Sequence, residues 1–364
     1  FSHGRFKRSP QAYKKTIAVK PVIHKAHSLK NLNSLSLDCL AEYFCTVSTI
    51  ENLMYALDFA ASKNLTITIL GEGTNVILNK RLPGLVLKID IRGKKFKVEG
   101  EFISLEVGAG ESWTHLVDWA LNENWYGLEN LSLIPGNVGA APIQNIGAFG
   151  VELSERLMSV KAMCRETGEV LELDSKACKF GYRYSIFKGS SPENFIITGV
   201  NLRLNAIPTM NYSYPSLKLE LEKELGILTD SNLSPKIISS AVKKIRLKNL
   251  PDPISLPNVG SFFQNPIIER RHLTDLLDRN PAIPYFPVSN DLVKIPAAWM
   301  IEYCGFRGYK YKNVGVHDSH ALVLVNYGSG SFCAVMELAN LIIDAVEQCF
   351  SIALSIEPTL YGTD

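Results

Sequence analysis

No two cysteines in this 364-residue sequence have Cys-x-x-Cys spacing, although there are seven (Cys39, Cys45, Cys164, Cys178, Cys304, Cys333, Cys349). That excludes the thiol spacing of zinc ribbons and thioredoxin-like sites, and an odd count does not close a disulfide frame. Reduced, mostly buried thiols in a cytosolic protein are the expectation. Acidic residues are missing before Asp38, while Arg5, Lys7, Arg8, Lys14, Lys15, Lys20, Lys25 and Lys30 all fall in that stretch. The formal charge of +2 therefore hides a basic head on an acidic body. An acidic body argues against a nucleic-acid footprint spread over the fold. The head admits three readings: a binding arm, a transit peptide, or a disordered leader. A disordered leader over residues 1–26 is the expected one. No signal-peptide core is present.

The sequence also lacks a stretch that reads as a membrane helix. Leu131–Val151 carries no charge and is long enough, but Pro135 and Pro142 break a helix, and Gly136, Gly139, Gly147 and Gly150 weaken one. Gln144 and Asn145 would need partners in lipid. A buried, irregular, small-residue loop remains. It is either a tight connection between two sheets or a cradle in which backbone N–H groups approach a flat or phosphorylated ligand.

Around that loop the order of elements is mixed α+β with no internal repeat. Folded chain is expected from His27. Ser48 and Glu51 have capping-box spacing ahead of an amphipathic helix through Ile50, Leu53, Met54, Leu57, Ala60 and Ala61. Residues 66–70, 84–89 and 102–107 read as strands, and Trp113, Leu116, Val117, Ala120 and Leu121 mark a second helix. Strands are predicted at 159–164, 195–204 and 321–326, with a final one at 351–357. Helices are predicted at 217–225 and through Val335–Cys349, and residues 243–253 read as a basic, proline-ended linker.

Familiar site motifs are incomplete. Two strand-following G-x-G sites, at Gly71/Gly73 and Gly108/Gly110, have Val76 and Trp113 where a dinucleotide fingerprint needs its third glycine, which argues against a Rossmann NAD domain. His317 and His320 have no acid or thiol cluster beside them, so no metal site is expected. Gly260-Ser261-Phe-Phe is not a G-x-S-x-G elbow.

Six segments nevertheless occur in order: Gly71-Glu-Gly-Thr-Asn75, Ile134–Gly150, Phe180-Gly-Tyr-Arg-Tyr-Ser-Ile-Phe187, Leu250-Pro-Asp-Pro253, Gly260–Pro266 and Ile356-Glu-Pro358. In series, from about Lys30 to the end, they resemble the UDP-N-acetylenolpyruvoylglucosamine reductase family, flavoenzymes of bacterial peptidoglycan synthesis. The resemblance implies an α+β protein with a two-part FAD-binding module of the p-cresol-methylhydroxylase-like type and a C-terminal α+β substrate-binding domain. The implied parts are residues 27–92 joined by a C-terminal strand in 351–364, residues 93–245, and residues 246–350. The spacing from Arg183 to Arg246, with Tyr214 between, resembles the subclass with a tyrosine-bearing loop over the substrate. The implied reaction has two halves: NADPH reduces FAD, and the reduced flavin then sends hydride to C3 of UDP-GlcNAc-enolpyruvate while C2 takes a proton. The implied product is UDP-N-acetylmuramate. A cytoplasmic monomer acting on small molecules, with no nucleic acid, is expected.

Carried over position by position, the family's catalytic residues fall on Arg183, Ser261 and Glu357. Charge moving into the enolpyruvyl carboxylate needs a fixed cationic fork, the role implied for Arg183, although a surface ion pair is the ordinary fate of an arginine. Ser261, otherwise a turn serine, is the implied proton donor. Glu357, otherwise a solvated acid, would sit beside the substrate carboxylate and carry a proton. Tyr214, Arg246, Lys248 and Asn265 match substrate contacts. Gly71, Gly73, Thr74, Asn75, Pro135, Gly136, Gly139, Ala140, Gln144, Asn145 and Gly147 match the FAD cradle. Asn249 and Gln264 stand where the family commonly has lysine, and His320 where glutamine is frequent. Asn33-Ser-Leu35 replaces Asn-Thr-Phe, and Thr359 and Tyr361 replace an acid and an arginine. These departures fall on diphosphate contacts and on the flavin pocket near the termini. Two rivals stay open: a flavin oxidase of the same fold, and a binding protein in which the loop is only packing.

Overall fold

A computed structural model describes residues 20–188 and 194–362. Chain enters the first sheet earlier than expected. Ile23–Ser28 pairs antiparallel with Leu40–Val47, with Ile23 opposite Cys45 and Lys25 opposite Tyr43. Residues 23–26 are therefore strand and not leader, because β-branched Ile23 packs against the core while its neighbours face out. The expectation for residues 1–19 lies outside the described residues.

Leu40–Val47 and Ile67–Leu70 both run parallel to Arg81–Ile89, which lies between them, and the crossover is helix α1, Ile50–Ser62. The α1 cap is Thr49, one residue later than the predicted Ser48. Its hydroxyl accepts from the Asn52 amide at 3.1 Å, which leaves Glu51 one position short of where a capping box needs it. Residues 90–93 lead into a second, wholly antiparallel sheet ordered Val170–Asp174, Leu157–Cys164, Phe195–Asn205, Phe102–Gly108, Lys94–Glu99. Helix α2, Trp113–Asn122, buries Trp113, Leu116, Val117, Ala120 and Leu121 against it, as the spacing predicts. One continuous apolar cluster joins both sheets, from Cys45 and Leu87 to Val200 and Leu204.

Helices α3 (Pro215–Leu225) and α4 (Pro235–Asn249) pack as a pair on Leu217, Leu221, Ile238, Ala241 and Val242. The predicted linker from 243 is instead the last turns of α4. Ser234 caps that helix, Pro235 suits its first position, and the apolar spacing carries it through 246 to Asn249.

Beyond Pro251 a third sheet, ordered Asn258–Ser261, Val323–Asn326, Val314–Val316, Lys310–Tyr311, forms a separate core. Helices α5 (Arg270–Arg279), α6 (Ala297–Tyr303) and α7 (Phe332–Phe350) contribute to that core. The predicted strand at 351–357 is not one. Ile352 and Leu354 are buried between exposed neighbours, yet among the described residues the only pairing there is a single bridge between Ile356 and Phe263. The C-terminal strand is Thr359–Tyr361, running parallel to Val76–Leu78 and returning the chain to the first lobe. Among the described residues no helix is long and apolar enough to cross a membrane.

Candidate active site

Two loops distant in sequence face each other beside the first two sheets. The Asn75 side-chain Nδ2 donates to Gln144 Oε1 at 2.8 Å, and Asn137 Nδ2 donates to the Gly110 carbonyl at 3.0 Å. Glycines set the separation of the loops. A Cβ on Gly71 would lie 2.8 Å from Asn137 Oδ1, and one on Gly136 would lie 3.0 Å from Thr74 Oγ1 with nothing else within 4 Å. Thus Gly136, at φ +113°, faces the gap between the loops. Pro135 is exposed beside it, and Ala140 is half-buried in the short turn Val138–Ala140.

Three of the implied cradle residues have a different physical role. A Cβ on Gly73 would be 2.0 Å from the Leu32 carbonyl, and one on Gly139 would be 2.5 Å from the Ala109 Cβ. Both glycines permit chain-to-chain packing and do not face open space. The Asn145 side chain is fully buried and committed internally: its amide donates to Glu152 Oε2 (2.7 Å) and the Gly181 carbonyl (3.2 Å), and its carbonyl accepts from the Ser154 amide (3.0 Å). It holds the turn and has no donor left for a ligand.

The residues present fit a bound dinucleotide on two observations. Asn137 Oδ1 is buried without a hydrogen-bond partner. Among the described residues, the amides of Glu72, Gly73, Thr74 and Asn75 donate to no protein acceptor. Consecutive free N–H groups of this kind form an anion-binding nest.

The second part of the site gathers from four segments. Arg183, at φ +53° in its turn, donates from Nη2 to the Gly147 carbonyl at 2.9 Å, and its Nε lies 3.3 Å from Glu357 Oε1. That Nε–H is buried and finds no aligned acceptor. Glu357 is itself buried, and its own amide donates to the Phe262 carbonyl at 2.9 Å. This bond sets Glu357 one residue from Ser261, which ends the strand Asn258–Ser261 just after Gly260 at φ +71°.

The charges press on one another. Burial pushes the Glu357 carboxyl above the usual range, against the opposing pull of Arg183 and Lys188. The sequence argument assigned a raised value to a neighbouring substrate carboxylate, but desolvation alone provides the upward push. Arg246 is drawn down to about 10 by burial and by Arg183, and its Nε donates to the Leu133 carbonyl at 3.2 Å. Asn265 accepts from the Ala297 amide at 2.9 Å, which caps the start of α6.

Lys248 is not brought into this group. It is exposed on α4 two residues past Arg246, on a different side of the helix, and its charge acts on Glu220. Tyr214 is 40% exposed and meets Phe149 edge-on at 5.5 Å, so it hangs over the Gly147–Gly150 turn.

Four neighbours were missed from sequence. Lys188 donates to the Glu357 main-chain carbonyl at 3.0 Å, and burial lowers its pKa. Burial also lowers the pKa of Lys294, with Arg183 adding to it, and its ammonium sits 4.8 Å from the Tyr182 ring centre. Burial raises the Tyr182 phenol. Glu152 receives the Asn145 amide and pulls on Lys294. Tyr182 and Lys188 flank Arg183 in the quoted motif, a signal that was available. Lys294 and Glu152 lie in segments with no motif. Among the described residues no group of three or more His, Cys, Asp or Glu side chains could hold a metal ion.

A two-lobed module with a glycine-spaced nest, and a buried Arg–Glu pair formed where its 181–184 turn meets the C-terminal return beside the third sheet, defines an FAD-dependent oxidoreductase. Residues 41–174 match the profile of an FAD binding domain, and residues 252–361 match that of the UDP-N-acetylenolpyruvoylglucosamine reductase C-terminal domain. The chain is 41% identical over 330 residues to the UDP-N-acetylenolpyruvoylglucosamine reductase of Amoebophilus asiaticus, covering 90% of this chain and 96% of that one. It is 39% identical over 337 residues to the reductase of Flavobacterium johnsoniae, covering 92% and 98%. The fold matches the Thermus caldophilus reductase with a TM-score of 0.65 at 22% identity, over 94% of this chain and 99% of that chain. The chain belongs to the UDP-N-acetylenolpyruvoylglucosamine reductase family.

Proposed function

We propose that this chain reduces UDP-GlcNAc-enolpyruvate to UDP-N-acetylmuramate at the expense of NADPH, with FAD held between the 71–75 and 134–147 loops. The observation that carries the assignment of the reacting centre is the buried, unaligned Nε–H of Arg183 beside Glu357. A buried cation fixed at one end through Gly147, with its Nε–H aligned to no acceptor, suits a substrate carboxylate that gains charge during reaction. FAD, when bound, supplies the hydride chemistry linking NADPH to C3 of the enolpyruvyl group.

The chain's own residues do the rest. Arg183 is fixed through Gly147 and offers its guanidinium to the enolpyruvyl carboxylate. Glu357, which burial biases toward its protonated form, donates to that same carboxylate. The Ser261 hydroxyl delivers a proton to C2, which only a strongly basic enolate-like carbon can accept from so weak an acid. Arg246, Asn265 and the overhanging Tyr214 bind the rest of the substrate, with Arg246 facing the diphosphate. Three structural parts follow, with the second ending after α4 at Asn249 and the third beginning near Pro251. The working state that goes with this reading is a cytoplasmic monomer, the odd cysteine count without Cys-x-x-Cys spacing fitting a reducing compartment.

Stopped-flow mixing tests the reading. Protein-bound flavin should bleach with NADPH and recover its absorbance on mixing with UDP-GlcNAc-enolpyruvate, much faster than with dissolved oxygen. Fast recovery with oxygen and none with the enolpyruvyl compound would make the protein a flavin oxidase. A colourless protein that takes up no FAD would leave only a binding role.

The cradle makes its own prediction. Gly136→Ala places a methyl in the gap between the loops, so FAD affinity should fall at least ~10-fold while the fold is retained, given ~1–3 kcal/mol of strain at that φ. Gly73→Val, by contrast, should fail to give stable protein whether or not FAD is supplied. Equilibrium dialysis with FAD and far-ultraviolet circular dichroism separate the two outcomes.

A further inference from the structure

We propose that Cys304 and Cys349 form a reversible disulfide that clamps the end of α6 to the last turn of α7, made by exchange with a low-molecular-weight disulfide. Cys304 is the C-terminal cap of α6, and its Sγ donates to the Ala345 carbonyl of α7 at 3.7 Å. In an α-helix that carbonyl is also the partner of the amide four residues on, here that of Cys349. The two cysteines therefore meet at one carbonyl, and the Cys349 thiol is the titratable neighbour that Cys304 feels. Cys349 is exposed and Cys304 half-buried, which gives the pair an accessible member and a resolving member.

No other cysteine competes among the described residues. Cys39, Cys45 and Cys178 are buried, and Cys164, half-buried with its thiol drawn down by hydrogen bonding at Thr167, ends the strand Leu157–Cys164 of the second sheet. Cys333 is exposed at the far end of α7, about 24 Å away along the helix at ~1.5 Å per residue.

The chemistry balances with the reagent disulfide as oxidant. The Cys349 thiolate attacks one sulfur of RS–SR, forms the mixed disulfide and expels RS⁻, which takes up a proton. Cys304 then loses its proton to solvent, attacks the Cys349 sulfur and expels the second RS⁻. Two protein S–H groups are oxidised to one S–S bond, and the reagent is reduced to two thiols. Burial and the neighbouring thiol push Cys304 up to about 12, so the second step is the slow one.

The test uses the full chain with FAD bound, incubated with oxidised glutathione, quenched in acid and alkylated after denaturation. In the wild type the peptide carrying Cys349 should pass through a glutathione adduct. That adduct should give way to a peptide linking Cys304 to Cys349, two hydrogens lighter than the reduced pair, whatever glutathione the exposed Cys333 and half-buried Cys164 take up. Cys304→Ser should stop at the Cys349 adduct, and Cys349→Ser should leave position 304 unmodified. Cys333→Ser should behave as wild type, and retained flavin absorbance reports a folded protein throughout. A wild-type product that keeps its glutathione with Cys304 still alkylatable would overturn the proposal. So would a cross-link between the Cys349 residues of two chains.

Discussion

Ser261→Ala should bind FAD and accept electrons from NADPH at close to the wild-type rate, yet be reoxidised by UDP-GlcNAc-enolpyruvate ~10²–10⁴ times more slowly, the range for a lost general acid. The selectivity follows from where the hydroxyl sits. Ser261 ends a strand of the third sheet, where Glu357 is tied to the adjacent Phe262 carbonyl and Gly260 is held by Asn258 Oδ1 at 2.9 Å. None of these contacts belongs to the 71–75 and 134–147 loops. Alanine removes one oxygen from a half-buried position and leaves the backbone hydrogen bonds around it in place, so folding and flavin content should not change. Ser261→Cys should restore part of the second half-reaction, since a thiol offers a proton from the same Cβ. Slowed reduction by NADPH with normal reoxidation would place the serine at the nicotinamide instead.

Local pattern carried the sequence argument where one element packs on one surface. The α2 stripe is such a case: its five apolar positions are all buried. The reading failed where burial and pairing come apart. Ile352 and Leu354 are buried on one side between exposed neighbours, as strand residues are, but among the described residues no strand pairs with them. Ser351, left-handed at φ +56°, has already turned the chain away from α7. The basic run of α4 read as a linker because its charges drew notice, while Ile238, Ala241 and Val242 were tying the same helix to α3.

The site divided along similar lines. Arg183, Ser261 and Glu357 were named through the resemblance alone; composition gave each an ordinary role. What no pattern in the sequence could supply is the electrostatics, because Glu357 and Lys188 are buried where the C-terminal return meets the 183–188 turn, and Arg246 where α4 meets the Leu133 carbonyl. Glycine was the weakest guide. Gly73 and Gly136 read identically as cradle residues, yet one is crowded by the Leu32 backbone and the other faces the gap.

Arg183→Lys should keep a positive charge in the pocket and still lose ~10²–10³ in the rate of reoxidation by the enolpyruvyl substrate, with reduction by NADPH little changed. The guanidinium spans two places, donating from Nη2 to Gly147 while its Nε remains free of an aligned acceptor beside Glu357. One ammonium cannot do both. The left-handed backbone at residue 183 is equally strained for lysine and arginine, so melting temperature should stay within a few degrees, and a fold defect can be told from a lost contact. The pH profile gives the independent sign. Glu357 acts here as a protonated donor, so the reoxidation rate should fall as pH rises through its folded-state pKa, which burial holds above the ordinary carboxylate value. Arg183 and Lys188 both oppose that elevation. Lys188→Met removes one of them without touching the guanidinium, so the falling limb should move to higher pH. Lysine at 183 keeps its charge near the carboxyl, so that variant should lose amplitude with a smaller shift. A reoxidation rate that instead rose with pH through this limb would mean that Glu357 works as the carboxylate, and the role given to it would have to be reversed.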